Sequence, residues 1–286
     1  MRSTVNYSLS RSVSIIIPTF NRPNLALKAT AIIRKFHPDV QITIVDQLSR
    51  EKPDQAQLNK LNTKYININI ENTSIAKNRG IKESSGDIIF FFDDDIEITE
   101  NTIPEQLKEY KNSEVVGTCG RVINDFEKIP EKTDVVTGKM NWLGSKFIQQ
   151  FWSTKRQFID FPYGCNMSFR ASVLKKVGGF DERFPKIFEE IDLGIRVGKY
   201  GVLSFVPAAL AYHHKAKSGG TRTDVKNKMR MIYRNYGLYI AKNVFFPGSL
   251  ITLALRTRTV FHEAPFAITD LFKGYFSYFF LKKNTQ

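Results

Sequence analysis

Residues 88–98 read IIFFFDDDIEI: five apolar side chains run directly into Asp93, Asp94 and Asp95. A short apolar run of this kind reads as a strand buried in a sheet. Three adjacent carboxylates at its end repel one another, and the repulsion is unfavourable unless positive charge sits between or around them. An Asp-x-Asp at the end of a strand suits Mg²⁺ or Mn²⁺, hard cations that take carboxylate oxygens and leave positions open for phosphate oxygens. A solvated acidic loop is the plainer alternative.

The surrounding pattern sets the fold class. VSIII (13–17) is stopped by Pro18, QITIVD (41–46) repeats the β-branched pattern, YININI (65–70) alternates, and DIIFFF (87–92) follows. Between these strands, NLALKATAIIRKF and SIAKNRGIKESSG carry apolar residues at helical spacing, with Gly86 placed to end the second. Alternating strands and helices predict an α/β layer with a mostly parallel central sheet flanked by helices. Ligands gather at the carboxyl ends of such strands, where Pro18 to Arg22, Asp46 and Asp93 to Asp95 all fall.

Further on, IPEQLKEY reads as a helix, EVVGTCGRVI as a strand, ASVLKKVGG and EEIDLGIRVGKYG as helices, and VLSFVP as a strand. Past Arg222, KNKMRMIYRNYGLYIAKN is a basic helix with interleaved apolar residues. The expected division is a main α/β domain over 1–221, in two halves at 13–98 and 99–221, then a basic aromatic helical extension over 222–286.

The net charge is +14, and from Arg222 onward eleven Lys/Arg stand against three Asp/Glu. Such a balance implies an anionic partner. No nucleic-acid module or stacking platform is present. Basic segments rich in Phe and Tyr, such as FKGYFSYFFLKK, suit an anionic membrane surface instead. NVFFPGSLITLAL contains Pro247 and Gly248 and is too short to span a bilayer, and MRSTVNYSLSRS lacks an apolar signal core. The expected location is therefore cytoplasmic, peripheral on the inner face of the plasma membrane. Cys119 and Cys165 lack metal-ligand spacing and read as buried, reduced thiols.

Several neighbours strengthen the metal reading. PTFNR after the first strand offers hydroxyl, amide and guanidinium donors, and Lys77 and Arg79 precede the aspartates. Cations beside a divalent ion balance a diphosphate. Asp46 suits a hydrogen bond to a base or sugar, or equally a turn.

SIIIPTFNR, IVDQLS, ENTSIAKNRGIKESSGDIIFFFDDDIEI, GCNMSFRASVLKKVGGFDERF and FEEIDLGIRVGKYG occur in order between Val13 and His214. Together they resemble the family 2 glycosyltransferases of the GT-A fold. The resemblance implies a nucleotide-diphospho-sugar donor, UDP- or dTDP-linked, a divalent metal (Mn²⁺ or Mg²⁺), and inversion at the anomeric carbon by direct displacement. The acceptor it implies is a hydroxyl of a glycan or lipid-linked molecule in cell-envelope polysaccharide synthesis. Carried over, Pro18, Thr19, Asn21 and Arg22 would line the nucleotide pocket and Asp46 would meet the base. Lys77 stands where the family often has Arg, and Asn78 matches the usual Asn. Asp93 would touch the ribose side with Asp94 beside it, and Asp95 would be the principal metal ligand. His213 or His214 would complete the metal shell.

Glu190 takes the place of the usual catalytic aspartate, one methylene longer, with Glu189 and Asp192 as alternatives for the base. The same acids also favour a helix N-terminus. The basic stretch KAKSGGTR reads as a loop able to close over the donor. Trp142 and Trp152 suit either acceptor stacking or core packing. A nucleotidyltransferase would carry a glycine-rich loop after the first strand, which PTFNRPN lacks. A non-catalytic membrane-binding protein on the same fold would bind liposomes without metal-dependent donor binding.

Overall fold

The computed structural model describes residues 12–214 and 224–281. The expected lid, KAKSGGTR (215–222), lies outside the described residues.

The chain opens with β1 (Val13–Phe20), α1 (Pro23–Phe36), β2 (Gln41–Gln47), α2 (Gln55–Lys60), β3 (Thr63–Ile68), α3 (Thr73–Glu83) and β4 (Ile88–Phe92). Next come β5 (Ile96–Ile98), α4 (Thr102–Glu109), β6 (Val115–Asn124), the short hairpin β7 (Lys139–Met140) and β8 (Phe147–Ile148), then β9 (Gln157–Ile159) and β10 (Asn166–Arg170). The remainder is α5 (Ala171–Val177), α6 (Glu189–Val197), β11 (Val202–His213), α7 (Val225–Asn243), α8 (Gly248–Glu263) and α9 (Ile268–Leu281).

The main sheet runs β3-β2-β1-β4-β10-β6-β11-β5, with β9 paired to β11. Its first four strands are parallel, as βαβ crossovers require. The expectation of a mostly parallel sheet is corrected to a mixed one, because β10 enters between β4 and β6 antiparallel to both. β10 arrives from a long loop at the edge where β4 leaves, so no crossover helix turns it round. Its antiparallel register pairs Asn166 with Phe92. The segment before β10 and the aspartates after β4 consequently share one edge.

All five residues of β4 are buried, and the strand's alternation divides them between two cores. Ile88, Phe90 and Phe92 pack with Ile15, Ile17, Ala26 and Ile33 on the α1 and α4 face. Ile89 and Phe91 join the other cluster, which contains Phe180, Phe188 and Leu193 and, from the C-terminal helices, Tyr236, Tyr239, Leu253 and Leu271. Each buried phenylalanine contributes on the order of 2–3 kcal/mol by removal from water. The C-terminal helices therefore share a core with the half of the sheet that carries the site. α7 and α9 cross at near-contact: a Cβ on Gly237 would lie 2.0 Å from the Leu271 carbonyl oxygen, so no larger residue fits. No helix among the described residues is long and apolar enough to cross a membrane.

Candidate active site

A cavity of about 310 Å³ opens at the carboxyl edge of the sheet. β1 supplies Pro18, Thr19 and, just beyond its end, Arg22; α3 supplies Lys77; the turn after β4 supplies Asp93, Asp94 and Asp95. Glu189 and Glu190 enter from the N-terminus of α6 and His213 from the end of β11.

Asp94 accepts hydrogen bonds from Thr19 Oγ1 at 2.5 Å and from Arg22 Nε and Nη2 at 2.7 and 2.5 Å, a bidentate pair with almost no solvent access. Arg22 Nη1 lies 3.5 Å from Asp95. The middle carboxylate thus turns away from its neighbours and anchors a guanidinium beside them. Asp93 and Asp95 face the other way, toward His213.

The ligand atoms of Asp93, Asp95 and His213 lie within 4.8 Å of one another. His213 Nε2 is 3.1 Å from Asp95 Oδ1, and its Nδ1 is 2.9 Å from Asn124 Oδ1. Asn124 Nδ2 donates to Glu127 at 2.8 Å, which orients its oxygen toward the histidine. Nδ1 therefore carries the proton, and Nε2 is the ring position turned to the carboxylates, the usual second-sphere arrangement of a metal-bound imidazole. Burial works against a charged ring, but the Asp95 carboxylate as hydrogen-bond acceptor and the charges of Asp93 and Asp95 hold His213 above the usual imidazole range. Burial, reinforced by the Asp95 charge, raises Asp93 despite the pull of Lys77 and His213. Two carboxylates and an imidazole so placed fit a hard divalent cation. His214 does not join them. The strand ends at His213, and His214 Nε2 instead lies 3.1 Å from the half-exposed Glu97.

The second carboxylate group is built differently. The fully buried Lys77 places its ammonium 3.1 Å from Glu189 Oε1 and 5.0 Å from the centre of the Phe180 ring. Burial would lower the Lys77 pKa, but Glu189, Asp93 and Glu190 together raise it. Burial disfavours the Glu189 charge, yet Lys77 holds this carboxyl below its ordinary range. Glu190 goes the other way: burial and the Glu189 charge push it well above the ordinary carboxylate range. Its buried Oε2 has no hydrogen-bond partner, nor has that of Glu189. Gly164 sits against both groups, since a Cβ there would lie 3.7 Å from Lys77 Nζ and 3.9 Å from the Glu190 carboxyl carbon.

Both glutamates follow a turn in which Ile187 and Phe188 have φ of 63° and 74°. For residues with a Cβ this left-handed region costs on the order of 1–3 kcal/mol each, so surrounding contacts must hold it.

Other expected residues lie elsewhere. Asp192 is fully buried but faces α7, in contact with Arg196 at 2.8 Å and Lys242 at 2.6 Å. Asp46 is buried between the Ser49 hydroxyl at 2.6 Å and the Tyr65 hydroxyl at 2.5 Å. Asn78 joins α3 to the Phe180 backbone, and Asn21 makes a positive-φ turn at the cavity's margin. None of the four lines the cavity. Trp152 is core, whereas Trp142 is exposed. Lys186 and Tyr163 do line the cavity and were not singled out from sequence. Lys186 sits unmarked between two recognisable segments, and only the YGCNMS run hinted at Tyr163.

Residues 14–178 match the family described as Glycosyl transferase family 2. The chain belongs to that family. Among relatives, the O-antigen biosynthesis protein RfbC of Myxococcus xanthus is 24% identical over 225 residues, covering 71% of this chain and 17% of RfbC. An N-acetylglucosaminyl-diphospho-decaprenol L-rhamnosyltransferase of Mycobacterium tuberculosis is 50% identical over 58 residues, 20% of this chain and 19% of that protein. The chain thus spans about a fifth or less of the length of these two relatives. It spans 84% of the GalNAc(5)-diNAcBac-PP-undecaprenol beta-1,3-glucosyltransferase of Campylobacter jejuni, at 23% identity and with 81% of this chain covered. In fold, the chain is similar to GalNAc-T7, solved with UDP, GalNAc and Mn²⁺, with a TM-score of 0.59 and 16% identity over 81% of this chain and 50% of that one.

Proposed function

We propose that this glycosyltransferase moves a sugar with inversion from a UDP- or dTDP-linked donor to a hydroxyl of a glycan or lipid-linked acceptor. The observation that carries the reading is one cavity holding both a cation-ready trio, Asp93, Asp95 and His213, and a buried glutamate, Glu190, with an unpartnered oxygen. Asp93, Asp95 and His213 would hold Mn²⁺ or Mg²⁺. When bound there, such an ion acts as a Lewis acid on the diphosphate and the charge of the departing nucleotide.

The protein's own groups do the remaining work. Arg22 is fixed by Asp94 at the cavity's edge, and Lys186 lines it, so both bring positive charge toward a diphosphate. Glu190 accepts the proton of the acceptor hydroxyl as that oxygen attacks the anomeric carbon. Its raised affinity for protons makes it a better base than an exposed carboxylate. Glu189, held ionised by Lys77, is the charged partner that keeps it so. The relatives named for diphospho-polyprenol substrates support a lipid-linked acceptor.

The decisive experiment is calorimetric titration of UDP, dTDP, GDP and CDP with Mn²⁺ and again with EDTA, on wild type and Asp95→Ala. Binding of one nucleotide that needs both the metal and Asp95 is expected. Equal binding by the Ala variant, or none by folded wild type, overturns the donor site.

Membrane contact belongs to the same reading. Leu250, Ile251, Leu255 and Phe261 are exposed along one side of α8, next to exposed Phe245 and Phe246, on a strongly basic chain. Such a face suits the surface of an anionic bilayer on the cytoplasmic side. Flotation with phosphatidylglycerol vesicles should carry the protein upward, and failure to float at low salt overturns the contact.

A further inference from the structure

The glutamates owe their position to a turn that no local preference explains. Ile187 and Phe188 both hold positive φ, and Ile187 is β-branched, the kind of residue least suited to that region. What holds the turn comes from α7, more than 40 residues later. Asn235, buried in the middle of α7, donates through Nδ2 to the carbonyl oxygens of Lys186 and Ile187, the latter at 3.0 Å. Phe188 lies edge-on to Tyr236, with ring centres 5.1 Å apart, and beside Tyr239 at 5.4 Å.

One end of α7 adds an ionic bridge. Lys242 Nζ lies 2.6 Å from Asp181 and 2.6 Å from Asp192, carboxylates on either side of the turn in sequence. Asn243 Nδ2 donates to Asp192 at 3.1 Å. Asp192 sits two residues after Glu190 on α6, where a helix sends it to the opposite face. Its role follows from that geometry: it is the handle by which α7 grips the helix that carries the glutamates.

We propose that α7 is a positioning clamp for the catalytic turn, with Asn235 holding its backbone and Lys242 tying α6 to the 181–184 loop. The role assigned to Glu190 rests on the transferase reading above, but the clamp itself does not. Asn235 and Lys242 act through Glu190 and are not catalytic residues. The C-terminal segment thereby becomes part of the active site's framework as well as a surface.

Lys242→Met is the informative variant, because Asp181 keeps Arg183 and Asp192 keeps Arg196. Hydrogen exchange of full-length wild type and variant should show faster exchange over 186–192 and unchanged exchange in β1 and β4. Turnover should fall about tenfold or more, as small misplacements of reacting groups do, while the Kd for the nucleotide with Mn²⁺ stays the same. Lys242→Arg should restore both readouts. Unchanged exchange at 186–192 overturns the clamp, and so does faster exchange spread equally over the whole sheet. If wild type turns over no nucleotide sugar, the transferase reading falls, and the exchange comparison still decides the clamp.

Discussion

The site contains two groups of carboxylates, and they are balanced differently. Around β4, three aspartates meet three cationic or cation-capable groups: Arg22 on Asp94, His213 on Asp95, and Lys77 within electrostatic reach of Asp93. At α6, two glutamates share the single ammonium of Lys77, which sits on Glu189. The first group is organised to hold positive charge in place. In the second, Lys77 is shared with Asp93 and sits on Glu189, so burial and the Glu189 charge leave Glu190 with a strong affinity for a proton. A site needs both kinds, an electrostatic anchor fixed in place and a base that can change state.

Breaking the second group should give the largest effect. Glu190→Gln keeps the shape and removes the proton acceptor, so turnover should fall by roughly 10²–10⁴-fold, the range over which a general base contributes. Metal-dependent nucleotide binding should remain near wild type, since the anchor is untouched. Initial rates with the donor identified by calorimetry check the first part. A variant that transfers sugar at the wild-type rate would remove Glu190 from the mechanism.

The contrast also governs what could be read from residues alone. β4 and its aspartates were legible because a buried run followed by three acids is a local pattern. The parallel half of the sheet was legible from alternation. What escaped depends on contacts between distant segments. The pairing of Asp94 with Arg22 has no local signal because the arginine lies 72 residues earlier. Two geometric rules would have sharpened the candidates. Consecutive residues of extended chain face opposite ways, so only one of the His213 and His214 rings can meet the Asp95 carboxylate. Helix residues two apart do not share a face, so Asp192 cannot join Glu190. Lys186 and the left-handed turn at Ile187 and Phe188 carry no local signal, since α7 imposes that conformation against propensity.

A milder perturbation tests the first group through its second sphere. Asn124→Ala removes the acceptor that orients His213 while leaving Asp93 and Asp95 in place. Loss of such a partner typically weakens metal affinity about 10–100-fold. The Mn²⁺ concentration giving half-maximal nucleotide binding should rise accordingly, with little change in rate at saturating metal. An unchanged Mn²⁺ requirement would mean that His213 stands beside the ion's position without ligating it.

The smallest effect is the most diagnostic, because its direction follows from charge alone. Glu190 works as a base only when deprotonated, and burial and Glu189 raise its pKa. The acid limb of kcat/KM should therefore lie above the ordinary carboxylate range, with activity rising as pH climbs through it. Glu189→Gln removes the neighbouring negative charge and leaves the Lys77 ammonium unpaired beside Glu190, and both changes favour the ionised form of Glu190. The limb should move to lower pH, while the rate on the plateau falls less than in Glu190→Gln. A limb that stays in place would assign it to another group, and one that moves upward would reverse the roles given to the two glutamates.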